Sequence, residues 1–240
     1  MKIKFKNIIS FLLFIIIIIC LTTILNKNYK YNKSNKAYQE IRGVINSLEY
    51  SDEVDIKDNK LKAINPEYKF WINIPNTVID YPVVQGSDNE FYLKNNFYKK
   101  DDIGGAIFID CENNILKDKN LILYGHNMRN GSMFSDINKF KEKEFFDEGK
   151  ILINKDNRNY YYEVFSVFVE KSENIILKNS FDNNDEFNYY INNLKEKSMY
   201  NKENKINEIS SIITLYTCSY EFDGARTIVS ASLVDGAVSK

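Results

Sequence analysis

The stretch Ser211-Ile-Ile-Thr-Leu-Tyr-Thr-Cys-Ser-Tyr-Glu-Phe-Asp-Gly-Ala-Arg-Thr-Ile-Val-Ser-Ala-Ser-Leu233 holds two apolar runs around a polar turn. Residues 211–217 and 226–233 are dense in Ile, Val, Thr and Leu, which suit a pleated, half-buried surface, and residues 218–225 join them through Gly224. If the runs pair as neighbours through that turn, Cys218 and Arg226 stand together at one end of a sheet. A cysteine kept for packing more often sits inside a run, whereas Cys218 comes where the run gives way. Taken alone it reads either as a small buried hydrophobe or as a reactive thiol. Arg226 reads equally as a surface partner of Asp223 or Glu221, an ion pair worth little.

Upstream, similar runs recur. Residues 68–74 and 78–84 flank a Pro75-Asn76 turn, and Pro82, which lacks an N–H, puts part of the second run at an edge. Residues 51–60 form a charged loop before them. Asp88 opens a short helical turn over residues 89–95. Gly104-Gly105 introduces a strand at 106–110, and residues 120–124 form a buried strand that ends at Gly125-His126-Asn127. Helices are expected around 134–146 and strands near 151–154 and over 160–170. A helix is expected over 185–198, where Phe187, Tyr190, Ile191 and Leu194 recur at helical spacing. The chain is therefore mostly β, with about eight short strands and helices before and within them. A closed or nearly closed barrel protects so many strand edges.

His126 is the only histidine, so imidazole chemistry, if any, happens there. The strand before it ends, Gly125 permits an unusual backbone angle, and His126 emerges at the strand mouth, where rigid scaffolds present reactive groups. An ordinary surface histidine is the bland alternative. Together a thiol, an imidazole and a guanidinium supply what acyl transfer requires: a nucleophile, a proton carrier and a donor to the oxyanion of a tetrahedral intermediate. With Cys20, Cys111 and Cys218 the only other soft ligands, and no CxxC or HxxxH spacing, no metal or other cofactor is implied. Cys111 follows Asp110 at the end of a strand and reads either as a buried thiol or as a disulfide partner of Cys218; that bridge would remove the nucleophile, so acyl transfer requires both thiols free.

At the other end, residues 8–25 form an apolar run preceded by Lys2, Lys4 and Lys6. Its length is that of a membrane-spanning helix, and no small-x-small cleavage site follows, so it reads as an uncleaved signal anchor. Lys27, Lys30, Lys33 and Lys36 follow the span and blunt the charge argument for orientation. A seven-residue tail on one side and a whole domain on the other give an N-in, single-pass layout at the cell membrane, with the domain extracytoplasmic. Residues 1–7 are then a cytoplasmic tail, 8–25 the anchor, 26–36 a solvated stalk and 37–240 the catalytic domain. That domain begins with a helix whose Ala37, Ile41, Val44, Ile45 and Leu48 share one face. In 240 residues there is room for one such domain. A formal charge of -1 supplies no overall positive field to hold nucleic acid.

Thr214-Leu-Tyr-Thr-Cys218 matches the TLxTC signature of sortases, with Arg226 where their arginine follows and Leu123-Tyr-Gly-His126-Asn-Met128 similar to their histidine segment. Asp80-Tyr-Pro-Val-Val-Gln85, Asp88-Asn-Glu-Phe-Tyr-Leu93, Gly104-Gly-Ala-Ile-Phe-Ile-Asp110 and the helical insertion over 185–198 resemble class B sortases in particular. The resemblance covers about residues 37 to 234. It implies a sortase-like barrel and a membrane-anchored cysteine transpeptidase. Such an enzyme cleaves a C-terminal sorting motif of secreted proteins after Thr, holds the acyl group as a thioester, and passes it to an amine of a cell-wall precursor or stem peptide. It also implies Cys218 as nucleophile, His126 as general acid/base, Arg226 as carbonyl donor, and Tyr216, Thr217 and Ser219 in the peptide groove. Two readings stand beside it: a hydrolytic cysteine peptidase, in which water replaces the amine, and an inert surface binding module. NlpC-like wall peptidases place Cys before His, the reverse of the order here.

Overall fold

The computed structural model describes residues 5–46, 56–156, 158–202 and 209–238. Eight strands close a barrel: β1 (Tyr68–Asn73), β2 (Asp80–Val84), β3 (Ile107–Ile109), β4 (Asn120–Tyr124), β5 (Lys150–Lys155), β6 (Arg158–Lys171), β7 (Ile212–Cys218) and β8 (Ala225–Val238). Their order around it is β1-β2-β3-β4-β7-β8-β6-β5, and pairing of Ile72 with Ile153 returns β5 to β1. Closure leaves no open edge, as so many short strands require. Two neighbours, β2 with β3 and β4 with β7, run parallel, and the rest are antiparallel. Pro82 pairs with Trp71 of β1, while β3 reaches only Val83 and Val84, so the proline lies where β2 has one strand neighbour.

The barrel is filled by Phe70, Ile72, Val83, Ile107, Ile109, Leu123, Ile151, Val164, Ile213, Leu215, Val229 and Ala231, all fully buried. Alternation sends the neighbouring residues outward, where helices cover them. One helix is α5 (Asn184–Lys197), whose Phe187, Ile191 and Leu194 pack on Phe165, Phe168, Ile212 and Ile228 outside β6, β7 and β8. Asn183 starts it by accepting the Glu186 amide at 2.9 Å.

Two elements differ from the sequence expectations. Residues 56–60, placed in a charged loop, belong to helix α2 (Ile56–Ile64). Leu61 of α2 is fully buried, and the Asp58 carboxylate accepts the Tyr68 hydroxyl at 2.8 Å and the Asp156 amide at 2.6 Å. Tyr68 opens the strand that follows and Asp156 comes from the far side of the chain, so local composition could not reveal these contacts. Residues 26–36, expected as a stalk without periodicity, are helical within α1 (Phe5–Asn46). Ser34, Tyr38, Ile41 and Ile45 form its buried stripe, whereas Ala37 and Val44 are only half-buried. Leu48 lies outside the described residues.

The stripe seats at Gly104-Gly105. The Tyr38 hydroxyl donates to the Gly105 carbonyl at 2.6 Å, and a Cβ on Gly104 would lie 2.8 Å from Ser34 Oγ. Arg42 adds an ion pair to Asp80 at 3.5 Å and stacks over Tyr81. The apolar part of α1 is exposed throughout and is long and apolar enough to cross a membrane. Between β2 and β3, α3 (Phe91–Lys94) starts where Asp88 accepts the Phe91 and Glu90 amides at 2.7 and 2.8 Å; those bonds hold its carboxyl below the usual range. Between β4 and β5 the chain makes a 3-10 turn over Ser135–Lys141 and the short α4 (Lys143–Asp147).

Candidate active site

The register of three strands builds the site. Antiparallel pairing sets Cys218, the last residue of β7, directly opposite Arg226 near the start of β8. On the other side of β7, parallel pairing matches Tyr124 of β4 with Tyr216. Two residues beyond that pair stand His126, just past the end of β4, and Cys218, the end of β7, so both emerge at the same end of adjacent strands. The segment after β4 is pinned there by three bonds. The Gly125 amide donates to the Tyr216 carbonyl at 3.3 Å, the Thr217 hydroxyl to the Gly125 carbonyl at 2.6 Å, and Asn127 Nδ2 to the Cys218 carbonyl at 2.9 Å. His126 itself is held from across the cleft, its Nε2 lying 2.8 Å from the Leu93 carbonyl oxygen. A carbonyl only accepts, so Nε2 carries the hydrogen in this contact.

Gly125 is needed for a reason other than backbone angle. Its φ is not positive, but a Cβ there would sit 2.7 Å from the ring of the fully buried Phe134. The glycine lets the strand end press against that ring.

The three residues open onto one cleft of about 530 Å³. Its wall is an aromatic ladder: Phe108, Tyr124 and Tyr216 lie on neighbouring strands in register, with ring centroids 5.3 Å apart at each step. Arg226 continues the ladder, its guanidinium carbon 6.0 Å from the Tyr216 ring, and Nη1 donates to the Ala225 carbonyl at 2.9 Å. Burial raises the Tyr216 phenol pKa, and the Arg226 charge opposes it. Burial and a hydrogen bond to Asp110 raise Tyr124 further, so both phenols stay neutral donors. The facing wall comes from the segment between β6 and α5, through Ser172, Ile175 and Leu177.

Tyr216 and Thr217 therefore line the cleft with Cys218, His126 and Arg226. Ser219 does not: it is buried, and its hydroxyl is engaged behind the turn by Lys141 Nζ at 3.0 Å, by Thr227 Oγ1 at 3.0 Å and by Glu221. The residue after a strand-end cysteine points the opposite way, which sends Ser219 inward. Sequence reading missed Leu93, Asn127 and Lys141. Asn127 beside the lone histidine was the one visible signal; Leu93 acts through its backbone, which no residue type announces.

Cys111 and Cys218 are both free thiols. Burial and the neighbouring Asp110 and Glu112 raise the Cys111 pKa. No group of three metal-ligating side chains is found among the described residues.

A sortase domain model matches residues 72–234. A Sortase B of Listeria monocytogenes is 34% identical over 178 residues, 72% of each chain. A Sortase B of Staphylococcus aureus is 27% identical over 238 residues, 96% of this chain and 97% of that one. The X-ray structure of Clostridium perfringens sortase B superposes with a TM-score of 0.71 at 39% identity, covering 74% of this chain and 100% of that one. The strand register and these relatives lead to the same place: the chain belongs to the sortase family, class B, and is a sortase-type cysteine transpeptidase.

Proposed function

We propose that Cys218 is the nucleophile, His126 the general acid/base and Arg226 the carbonyl donor of a membrane-anchored enzyme that cleaves the sorting motif of secreted proteins after Thr and joins them to a cell-wall amine. The observation that carries this reading is the register that sets Cys218 between Arg226 and the His126 strand end, all at one cleft. In the first half-reaction the Cys218 thiolate attacks the scissile carbonyl carbon, and the resulting oxyanion accepts hydrogen bonds from Arg226. As the C–N bond breaks, His126 gives its proton to the leaving amine, and the acyl group stays on sulfur as a thioester. The acceptor amine then attacks the thioester, His126 takes up the proton, and the new amide leaves with the thiolate restored. Because Nε2 faces Leu93, Nδ1 is the nitrogen left to move that proton.

The apolar and aromatic walls suit an extended peptide, with Tyr216 and Thr217 beside the nucleophile. For the chain as a whole, residues 1–7 form the cytoplasmic tail, 8–25 the single membrane span, 26–36 a helical spacer and 37–240 the extracytoplasmic catalytic domain. The test is to incubate the full chain with LPxTG-like and NPxTN-like peptides, with and without an amine acceptor, and to identify the products. The proposal expects cleavage after Thr and an amide product with the amine. Free acid alone in the presence of amine would make it a hydrolase, and no cleavage by a folded chain with a reduced Cys218 would favour the binding module.

A further inference from the structure

We infer that a second groove, on the far side of the Ile175–Leu177 wall from Cys218, holds the stretch of substrate chain that precedes the sorting motif. The groove has a volume of about 530 Å³ and lies between this segment and α5. Phe168 and Leu194 are its buried floor, while Ile176 and Tyr189 stand at its rim, 81% and 69% exposed. Side chains of that size and exposure at the mouth of an apolar groove mark a surface that a partner covers. The charges around it are matched, Lys178 with Glu186 and Lys197 with Glu170, so the groove offers no field of one sign to a polyanion.

The wall between the two clefts argues for a peptide as the occupant. Ile175 and Leu177 line both clefts, whereas Ile176 lines only the second. That alternation is the pattern of an extended chain, and Ile175 has φ -89° and ψ 120°. The segment is fixed at both ends: the Ser172 amide donates to the Gly224 carbonyl at 3.0 Å, and the Lys178 carbonyl accepts from Asn120 Nδ2 at 2.9 Å. Between those anchors the backbone groups of Ile175, Ile176 and Leu177 find no hydrogen-bond partner among the described residues. An extended chain crossing the wall can pair with them and seat an apolar side chain behind it. The order of the catalytic residues says which part of the substrate crosses. Cys218 stands between His126, just past β4, and Arg226 of β8. His126 gives its proton to the departing amine, so the departing chain lies on the β4 side. The acyl part kept on sulfur runs the other way, toward the segment that leaves β6 beside Arg226, since Glu170 pairs with Arg226. In cleavage after Thr, that part is the motif and everything before it. The inference therefore rests on the transpeptidase reading above and extends it to the residues preceding the motif.

The test is steady-state kinetics of the full chain on the motif peptide it cleaves, used alone and extended upstream or downstream by a Gly/Ser stretch along which a single Phe is walked. Phe at one or two adjacent upstream positions is expected to lower KM about tenfold with kcat unchanged, the effect of burying part of one apolar side chain. Tyr189→Ser and Ile176→Ser, both at exposed positions, should remove that gain and leave the unextended peptide's kcat and KM at wild-type values, and Tyr189→Phe should keep the gain. No gain at any upstream position, an equal gain from downstream Phe, or a gain that survives both Ser variants would overturn the groove as a substrate site. A gain that vanishes as enzyme concentration is raised would assign the groove to a second copy of the chain, and would overturn the inference as well. Failure of the folded chain, with Cys218 reduced, to cleave even the unextended peptide would overturn the transpeptidase reading and this inference with it, an outcome distinct from normal cleavage without an upstream gain.

Discussion

Arg226 is the residue at which charge and geometry can be separated. Lysine keeps the charge but loses the planar fork, so Arg226→Lys is expected to lower kcat/KM by about 100-fold, the usual effect of losing one oxyanion donor. Steady-state kinetics on the motif peptide checks this, and a near-normal rate would move the carbonyl donor elsewhere. Gly125 tests packing in the same way. An added Cβ would meet Phe134 at 2.7 Å, and overpacking of this kind costs about 1–3 kcal/mol, so Gly125→Ala should unfold at lower urea and disturb His126. At this scale much was legible: the lone histidine, the strand-end cysteine and the arginine eight positions on could be placed near one another from β-rich runs and a turn. Ser219 was not, because a one-residue change of side around a strand end depends on register, which the sequence leaves open. Nor was Leu93, because a carbonyl has no residue type.

Among the elements, α5 owes its start to one side chain. Asn183 accepts the Glu186 amide at 2.9 Å, and Asn183→Ala should cost about 1 kcal/mol, measured by chemical denaturation. An unchanged midpoint would show that the helix is held by packing alone. The eight strands were readable because apolar runs between turn residues survive tertiary context. Both departures were helical. α2 depends on Asp58 meeting Tyr68 of the next strand and Asp156 from across the fold. The spacer segment of α1 is polar on most faces and stays helical as the continuation of the apolar run on one side and the docked stripe on the other. Helical propagation needs no apolar residues of its own once both ends are nucleated.

For the whole molecule, the turn carrying Cys218 and Arg226 is tied to the 3-10 segment by Lys141 and Glu221. Burial works to raise the Glu221 pKa, but donation from Lys141 and Ser219 outweighs it and brings the group down from 4.5 to about 2. A carboxylate whose folded pKa is depressed adds stability above its unfolded value and loses it as pH falls through the folded one. Relative to Glu221→Gln, the wild type should keep a constant advantage above pH 4.5 and lose it between 4.5 and about 2. With the carboxylate 43% exposed, solvent screening keeps that advantage small. Thermal unfolding across that range checks the sign; an advantage that grew on acidification would contradict it. Removing residues 1–26 takes away the apolar run but leaves Ser34, Tyr38, Ile41 and Ile45 docked. The truncated chain is therefore expected to be soluble and active, and failure to fold would make the apolar run structural as well.

The most direct test of the central claim is to trap the acyl-enzyme. The chain is quenched in acid during turnover of a motif peptide, and its intact mass and fragment masses are measured. The account predicts a single acyl adduct on Cys218, ending at the Thr of the peptide, released by hydroxylamine and absent from a folded Cys218→Ala variant that has lost turnover. An adduct on another residue, or turnover retained by Cys218→Ala, would contradict it.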